Sequence, residues 1–440
     1  MSLEQTSTTP ASLSPPLSGS RTILVVGAGI AGMSAALEAA EAGYDIVVIE
    51  KEPYLGGRVA QLHKYFPKLC PPYCGLEINF QRLKNNRLIR FYTMSEVESI
   101  SGDPGNLDVT ITQRPRYVND RCTACNDCVA VCPTDRPDAF NFGMGTTKAI
   151  YLPHPLAFPM KYAIDDSVCE LNDCARCVDV CTYDAIDLNM KPQTFKLNVG
   201  AVVLATGWKP YEAERIDNLG FGSYADVITN VMMERLASPN GPTAGKIVRL
   251  SNGDPVKNIA FVQCAGQRDE THLGYCSGIC CLGSLKQATY VRDQNPDAKV
   301  FIFYIDLRTP GTYEFFAKKV QADDGVEVIK GKVGRIVDDP VTGELLVEAE
   351  EIMSPKKRQV AVDMVVLATG MVASVESGLP TAGLVCDKDH FLLPDQPSPG
   401  LFAAGCARGP VDVATAVKDA TAAAMKAIGA INSATQRPSG

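Results

Sequence analysis

Sixteen cysteines stand in a chain of 440 residues, and twelve of them fall into three tight groups. In the first, Cys122-x2-Cys125-x2-Cys128-x3-Cys132 is followed by Pro133. Four thiols and a proline at that spacing match a bacterial-type [4Fe–4S] run at every position. Zinc is the plainer alternative, and the third cysteine of the run breaks the usual paired CxxC pattern of a zinc site. The second group, Cys169-x4-Cys174-x2-Cys177-x3-Cys181, is an imperfect copy with a longer first gap and Thr182 in place of proline. In two-cluster ferredoxins the fourth cysteine of each run ligates the other cluster. That rule assigns Cys122, Cys125, Cys128 and Cys181 to one cluster, and Cys169, Cys174, Cys177 and Cys132 to a second. A metal-free, degenerate second lobe stays open as an alternative. The third group, Cys264-x11-Cys276-x3-Cys280-Cys281, has no common spacing; four converging thiols there read as an atypical cluster site beside a second nucleotide-type turn.

The elements that must position these thiols are legible around them. Ile23–Val26 is a buried strand that runs into Gly27-Ala-Gly29-Ile-Ala-Gly32 and an Ala-rich helix; Ile46–Ile49 is a second strand, ending at Glu50. The glycines allow a tight turn, the close approach of a pyrophosphate and tight helix–strand packing, and the acid can accept from a ribose hydroxyl. Gly56-Gly57-Arg58 follows, which resembles the flavoproteins with two dinucleotide-binding domains. Leu204–Gly207 and Leu367–Gly370, both "LATG", each follow a Val-rich strand as in that superfamily. "GLFAAGCARGPVDVATAVKDATAAAMKAI" resembles its closing motif, with a helix expected to start near Val411. This resemblance implies FAD, held by Gly27, Gly29, Ile30, Ala31, Gly32, Glu50, Lys51, Gly57, Arg58, Thr206, Gly207, Gly405, Cys406 and Val413. Cys406 stands where the superfamily usually has Asp. By contrast, "KNIAFVQCAGQRDE" opens a second Rossmann-like unit with Gly266 alone in its turn, too few glycines for a nicotinamide nucleotide.

Composition narrows the classes. A hydrophobic content of 46% with 21% charged residues is ordinary for a globular protein, and the formal charge of −8 offers no basic stripe for nucleic acid or anionic lipid. No apolar run approaches the roughly 20 residues of a spanning helix. Residues 1–20, rich in Ser, Thr and Pro, read as a disordered tail. Clustered cysteines in such a chain read as metal ligands in a reducing cytoplasm rather than disulfides.

The fold these features imply is α/β: a two-dinucleotide-binding-domain flavoprotein, thioredoxin reductase-like and Rossmann-type, with a ferredoxin-like iron–sulfur insert. The FAD-binding domain is expected over 21–112, 191–239 and 361–440, the insert over 113–190, and a degenerate second Rossmann-like domain over 240–360. "QCAGQRDE…YCSGICCLGSLKQA" followed by "FYIDLRTPGTYEFF" resembles the A-type subunits of heterodisulfide reductases and their relatives. That resemblance, over residues 22–430, implies that Cys264, Cys276, Cys280 and Cys281 bind a [4Fe–4S] cluster near the flavin.

Within the family, "YLGGRVAQLHKYFPKLCPPYCGLEINFQR", "AIYLPHPLAFPMKYAIDD" and "GPTAGKI" resemble the A-type subunits of quinone-interacting membrane-bound oxidoreductase complexes. This implies an electron-transfer subunit linking menaquinone to adenylylsulfate reductase in anaerobic sulfate metabolism. Its partners would be a B-type subunit with flavin and iron–sulfur centres and a membrane quinone-interacting subunit, with membrane association only through them. The alternative is a heterodisulfide reductase A-like flavin subunit of another complex, including an electron-bifurcating one. A NAD(P)H-dependent disulfide reductase using Cys70 and Cys74, and a non-enzymatic scaffold, are the rivals from other classes. Cys70-Pro-Pro-Tyr-Cys74 reads equally as a thiol pair near the flavin or as two structural thiols in a rigid turn; Cys386 reads as a structural thiol.

Overall fold

A computed structural model describes residues 18–351, 357–374, 384–393 and 400–436. Most of the expected N-terminal tail lies outside these residues. The first sheet is seven-stranded. Its strands are β1 (Gly19–Val26), β2 (Asp45–Ile49), β3 (Ile89–Tyr92), β4 (Ser95–Asp103), β5 (Asn106–Gln113) and β6 (Gln193–Leu204), in the order β3-β2-β1-β6-β5-β4. A short C-terminal strand, Leu401–Ala403, adds to β6. The centre is parallel, with Ile23, Leu24 and Val25 of β1 and Val202, Val203 and Leu204 of β6 fully buried. Such strands are covered on both faces, which is why they read as unbroken apolar runs rather than alternating ones.

One cover is a helix pair. Helix α1 (Ile30–Glu41) presents Ala35, Ala36, Ala39 and Ala40, and a C-terminal helix, Val413–Thr435, presents Ala416, Ala420, Ala423, Ala424 and Ala427. Small side chains at helical spacing let the two backbones approach closely. The C-terminal helix starts at Val413, later than the sequence suggests, because the Asp412 side chain accepts from the Thr415 N–H at 2.7 Å and caps it.

Strand β5 pairs antiparallel with β6, and Gln113 faces Gln193 in the register. Everything between those two residues forms a separate lobe. It contains two short helices, α3 (Asp127–Val131) and α4 (Arg176–Asp179), and two small two-stranded ribbons. The lobe is bound firmly to the first sheet's loops. Arg116 donates to the Pro53 carbonyl at 2.9 Å, Leu55 N–H to Phe158 O at 2.8 Å, and the Gln61 amide to Phe140 O at 3.0 Å.

The second sheet, also seven-stranded, has β7 (Val227–Thr229), β8 (Asn258–Ala265), β9 (Lys299–Tyr304), β10 (Val326–Asp338), β11 (Leu345–Glu351), β12 (Lys357–Val362) and β13 (Met364–Thr369). Its order is β7-β13-β8-β9-β10-β11-β12, parallel from β7 to β10 and antiparallel beyond. Helices α5 (Asn230–Ala237) and α6 (Cys280–Gln294) pack on it. No helix among the described residues is long and apolar enough to cross a membrane.

Candidate functional site

A cavity of about 700 Å³ runs between the two sheets and the inserted lobe. Its wall includes Gly27, Gly29, Ile30, Ala31, Glu50, Lys51, Gly57, Arg58, Thr206, Gly207, Cys406 and Val413. Gly32 and Gly405, expected among the cofactor contacts, stand behind the wall instead. A Cβ on Gly32 would lie 1.8 Å from the Gly27 carbonyl oxygen, and one on Gly405 would lie 2.7 Å from the Ala31 Cβ. Both glycines allow close packing rather than touching the cavity.

Gly29 is the opposite case: a Cβ there would find nothing within 4 Å. It precedes α1, whose N-terminus has no side-chain cap and no acid in its first turn. Unpaired N–H groups opening onto free space form a seat for a pyrophosphate. The Thr206 hydroxyl and the Gln287 amide oxygen, both on the cavity wall, are buried without a hydrogen-bond partner. These features fit a dinucleotide such as FAD.

Glu50 accepts from the Ala28 N–H at 2.7 Å and the Glu52 N–H at 2.9 Å. Burial nevertheless pushes its carboxyl up to about 7, those two N–H donors opposing the shift. Arg58 lies over the Phe142 and Trp208 rings and donates to the Gln61 side chain at 3.0 Å, so its charge is held at the cavity by stacking. Cys406 also lines the cavity, with its thiol donating to Val411 O at 3.5 Å and burial raising it to about 11. Replacing Gly29 by Val should lower bound flavin per chain by roughly tenfold, since the side chain fills the pyrophosphate seat. Flavin absorbance read beside an unchanged unfolding midpoint checks this.

The thiols assemble in three places. Cys122, Cys125, Cys128 and Cys181 line one small cavity of the lobe, the crossed set that the spacing suggests. Cys177 lies in electrostatic contact with Cys169, Cys132 and Cys174. The two runs also share backbone shape. Asn126 and Ala175, each directly after its run's second cysteine, are left-handed at φ 76° and 49°. Cys132 N–H donates to Val129 O and Cys181 N–H to Val178 O in the same way. The second run therefore folds like the first despite its longer gap. Among the described residues no group of three or more His, Cys, Asp or Glu side chains closes tightly enough for a single metal ion.

The third set adjoins the large cavity. Cys280 begins α6 and lines the same wall as Gly29, while Cys264, Cys276 and Cys281 lie in electrostatic contact with it. Donors face these sulfurs: the Gln267 amide to Cys280 at 3.3 Å and the Gly278 N–H to Cys276 at 3.3 Å, with further N–H and guanidinium donors at Cys281 and Cys264. Such donors stabilise thiolate sulfur and tune an iron–sulfur centre. Burial pushes the free thiols of Cys128 and Cys280 up to about 12, and those of Cys177 and Cys264 to about 11. A cationic centre supplies the charge that would draw off those protons.

The second nucleotide-type turn is closed. After β8 the chain makes an excursion through residues 266–279 before α6, and a Cβ on Gly266 would meet the Tyr211 ring at 2.8 Å. Where Gly29 opens on space, Gly266 is packed. Sequence reasoning missed a buried ion pair on the cavity wall, Glu234–Lys286 at 3.0 Å, with Gln287 donating to Glu234 at 2.7 Å. Its partners lie on α5 and α6 and share no motif. Cys386 and Leu392 form an isolated bridge.

Residues 25–90 match the family model of NAD(P)-binding Rossmann-like domains. The A-type chain of the ferredoxin/F420H2-dependent CoB–CoM heterodisulfide reductase of Methanosarcina acetivorans is 36% identical over 422 residues, 92% of this chain and 53% of that protein. Its counterpart in the H2:CoB–CoM heterodisulfide,ferredoxin reductase of Methanothermobacter marburgensis is 36% identical over 418 residues, again 92% of this chain and 63% of that one. The A-type iron–sulfur chain of the CoB–CoM heterodisulfide reductase of Methanocaldococcus jannaschii matches to the same extent, 36% over 420 residues, 92% and 63%. The chain thus spans between half and two thirds of these relatives. Among solved structures, thioredoxin reductases of T. acidophilum and Lactococcus lactis superpose with TM-scores of 0.52 at 15% and 12% identity. They cover 94% of this chain and 100% and 99% of theirs, which shows a shared fold. The chain belongs to the family of heterodisulfide reductase A-type subunits.

Proposed function

We propose that the chain is an FAD- and iron–sulfur-containing electron-transfer subunit of a multi-subunit oxidoreductase. The observation that carries this reading is the shared wall: Cys280 of the third thiol set and the Gly29 turn line one cavity. A flavin exchanges one or two electrons, and clusters exchange one, so a flavin beside a cluster joins the two kinds of chemistry. When bound, FAD would be held by Gly27, Gly29, Glu50, Thr206 and the N-terminus of the C-terminal helix. Three [4Fe–4S] clusters would take the three thiol sets. This chain's own residues supply the seat, the charge at Lys286 and Arg58, and the packed second turn that turns a nicotinamide nucleotide away.

The three relatives named above are heterodisulfide reductase subunits, which favours an A-like flavin subunit of such a complex over the narrower quinone-linked partner set with adenylylsulfate reductase. Copurification of neighbouring subunits from the native host separates these two partner sets. Anaerobically purified chain should carry about twelve iron per flavin if all three sets are filled. NADPH should leave that flavin oxidised, because Tyr211 fills the second turn. Saturable bleaching by NADPH would favour the self-contained disulfide reductase instead.

A further inference from the structure

Cys70 and Cys74 belong to none of the three thiol sets, yet they are not scattered. The loop from Tyr65 to Cys70 closes on itself, with the Tyr65 N–H donating to Cys70 O at 3.1 Å. The Tyr65 side chain lines the large cavity, and its hydroxyl hydrogen-bonds the Cys70 thiol. The same hydroxyl would lie 3.2 Å from a Cβ on Gly75, the neighbour of Cys74 in the first turn of helix α2 (Tyr73–Asn85). Tyr65 also lies in electrostatic contact with both cysteines. One phenol at the cavity wall is therefore flanked by two thiols, Cys70 half-buried and Cys74 exposed. Neither is in a disulfide, and the same phenol meets both.

We propose that Cys70 and Cys74 form a two-electron dithiol–disulfide couple beside Tyr65 of the cavity wall, with Cys74 as the thiol that meets external disulfides. The Cys74 thiolate attacks a disulfide RS–SR, forming Cys74–S–SR and releasing RS⁻. The Cys70 thiolate then attacks the Cys74 sulfur, closing the internal disulfide and releasing the second RS⁻. The two thiol protons leave with the two RSH products. The return to the dithiol takes two electrons and two protons, which the reduced flavin of the same chain supplies as it is oxidised. Only this return rests on the flavin reading above. Attack is left to the thiolate because the thiol itself is a poor nucleophile.

Trypsin releases residues 69–82 as one peptide holding both cysteines and no other. Anaerobic holoprotein treated with oxidised glutathione and then with N-ethylmaleimide should yield this peptide unlabelled and two hydrogens lighter. In Cys70→Ser the same peptide should stop as a mixed disulfide with glutathione at Cys74. A wild-type peptide that carries two labels, or glutathione without an internal disulfide, overturns the couple. In the second arm, photoreduced flavin should be reoxidised by oxidised glutathione in wild type and at least tenfold more slowly in Cys74→Ser. Equal rates overturn the exchange with the flavin. Iron is counted in the same samples, so a chain short of iron that still closes the disulfide separates failure of the cluster reading from failure of this one.

Discussion

Replacing Cys280 by Ser should cost the protein about four iron per chain while leaving its flavin in place. Cys280 is buried: Gln267 donates to its sulfur at 3.3 Å, and Gln267 is itself fixed by bonds to Ala368 O at 3.0 Å and from the Ser277 N–H at 3.0 Å. A shorter side chain with a hard oxygen cannot take the place of a thiolate in that fixed frame. The dinucleotide seat depends on other elements, the α1 N-terminus and Glu50, which the substitution does not touch. The flavin spectrum should shift, because Cys280 lies on the same wall. Iron and flavin assays on one anaerobic preparation decide the matter. Full iron would remove Cys280 from the ligand set, and joint loss of iron and flavin would mean that the two sites are one structural unit. Cys125→Ser serves as a control, with loss of a lobe cluster and an unshifted flavin spectrum.

The second large effect is expected at the buried ion pair. Lys286 and Glu234 are 6% and 4% exposed, and Glu234 also accepts from Gln287 at 2.7 Å and from the His63 N–H at 3.0 Å. Lys286→Met removes the cation and leaves a carboxylate buried without a counter-charge, a change that costs about 3–5 kcal/mol in comparable sites. The double variant with Glu234→Gln should recover most of that loss, since two neutral side chains then share the space. Denaturant midpoints for the four proteins measure the coupling directly. Additive effects would show that the pair contributes nothing as a pair.

How much of this was legible follows from where the partners lie. The Gly27–Gly32 turn, Glu50 and the cysteine runs are local patterns whose spacing reflects local geometry. That Cys181 lines one small cavity with Cys122, Cys125 and Cys128 follows from the internal repeat, which returns it to the first loop. Glu234 and Lys286 were not readable, since they meet only when α5 and α6 pack on the second sheet. Asp412 could have been found: an acid three residues before Thr415, at the start of an Ala-rich run, is an N-cap signal. Gly32 and Gly405 were assigned to the cofactor because the motif shows where glycines stand but not which of them faces the cavity.

The pairing of Gln113 with Gln193 has a further consequence. Opposed residues of an antiparallel pair lie about 5 Å apart, so the lobe departs and returns through a single doorway in the sheet. A hairpin turn across that doorway would close the same sheet, and the cost of closing a loop rises only slowly with its length. By connectivity alone, then, the lobe is a cartridge slotted between two neighbouring strand ends. In operation it is the reverse, for Arg116, Phe158 and Phe140 bolt it to the loops after β2. The gap between its thiols and the cavity is set by rigid packing, so electrons would cross a fixed distance instead of waiting on a swinging arm.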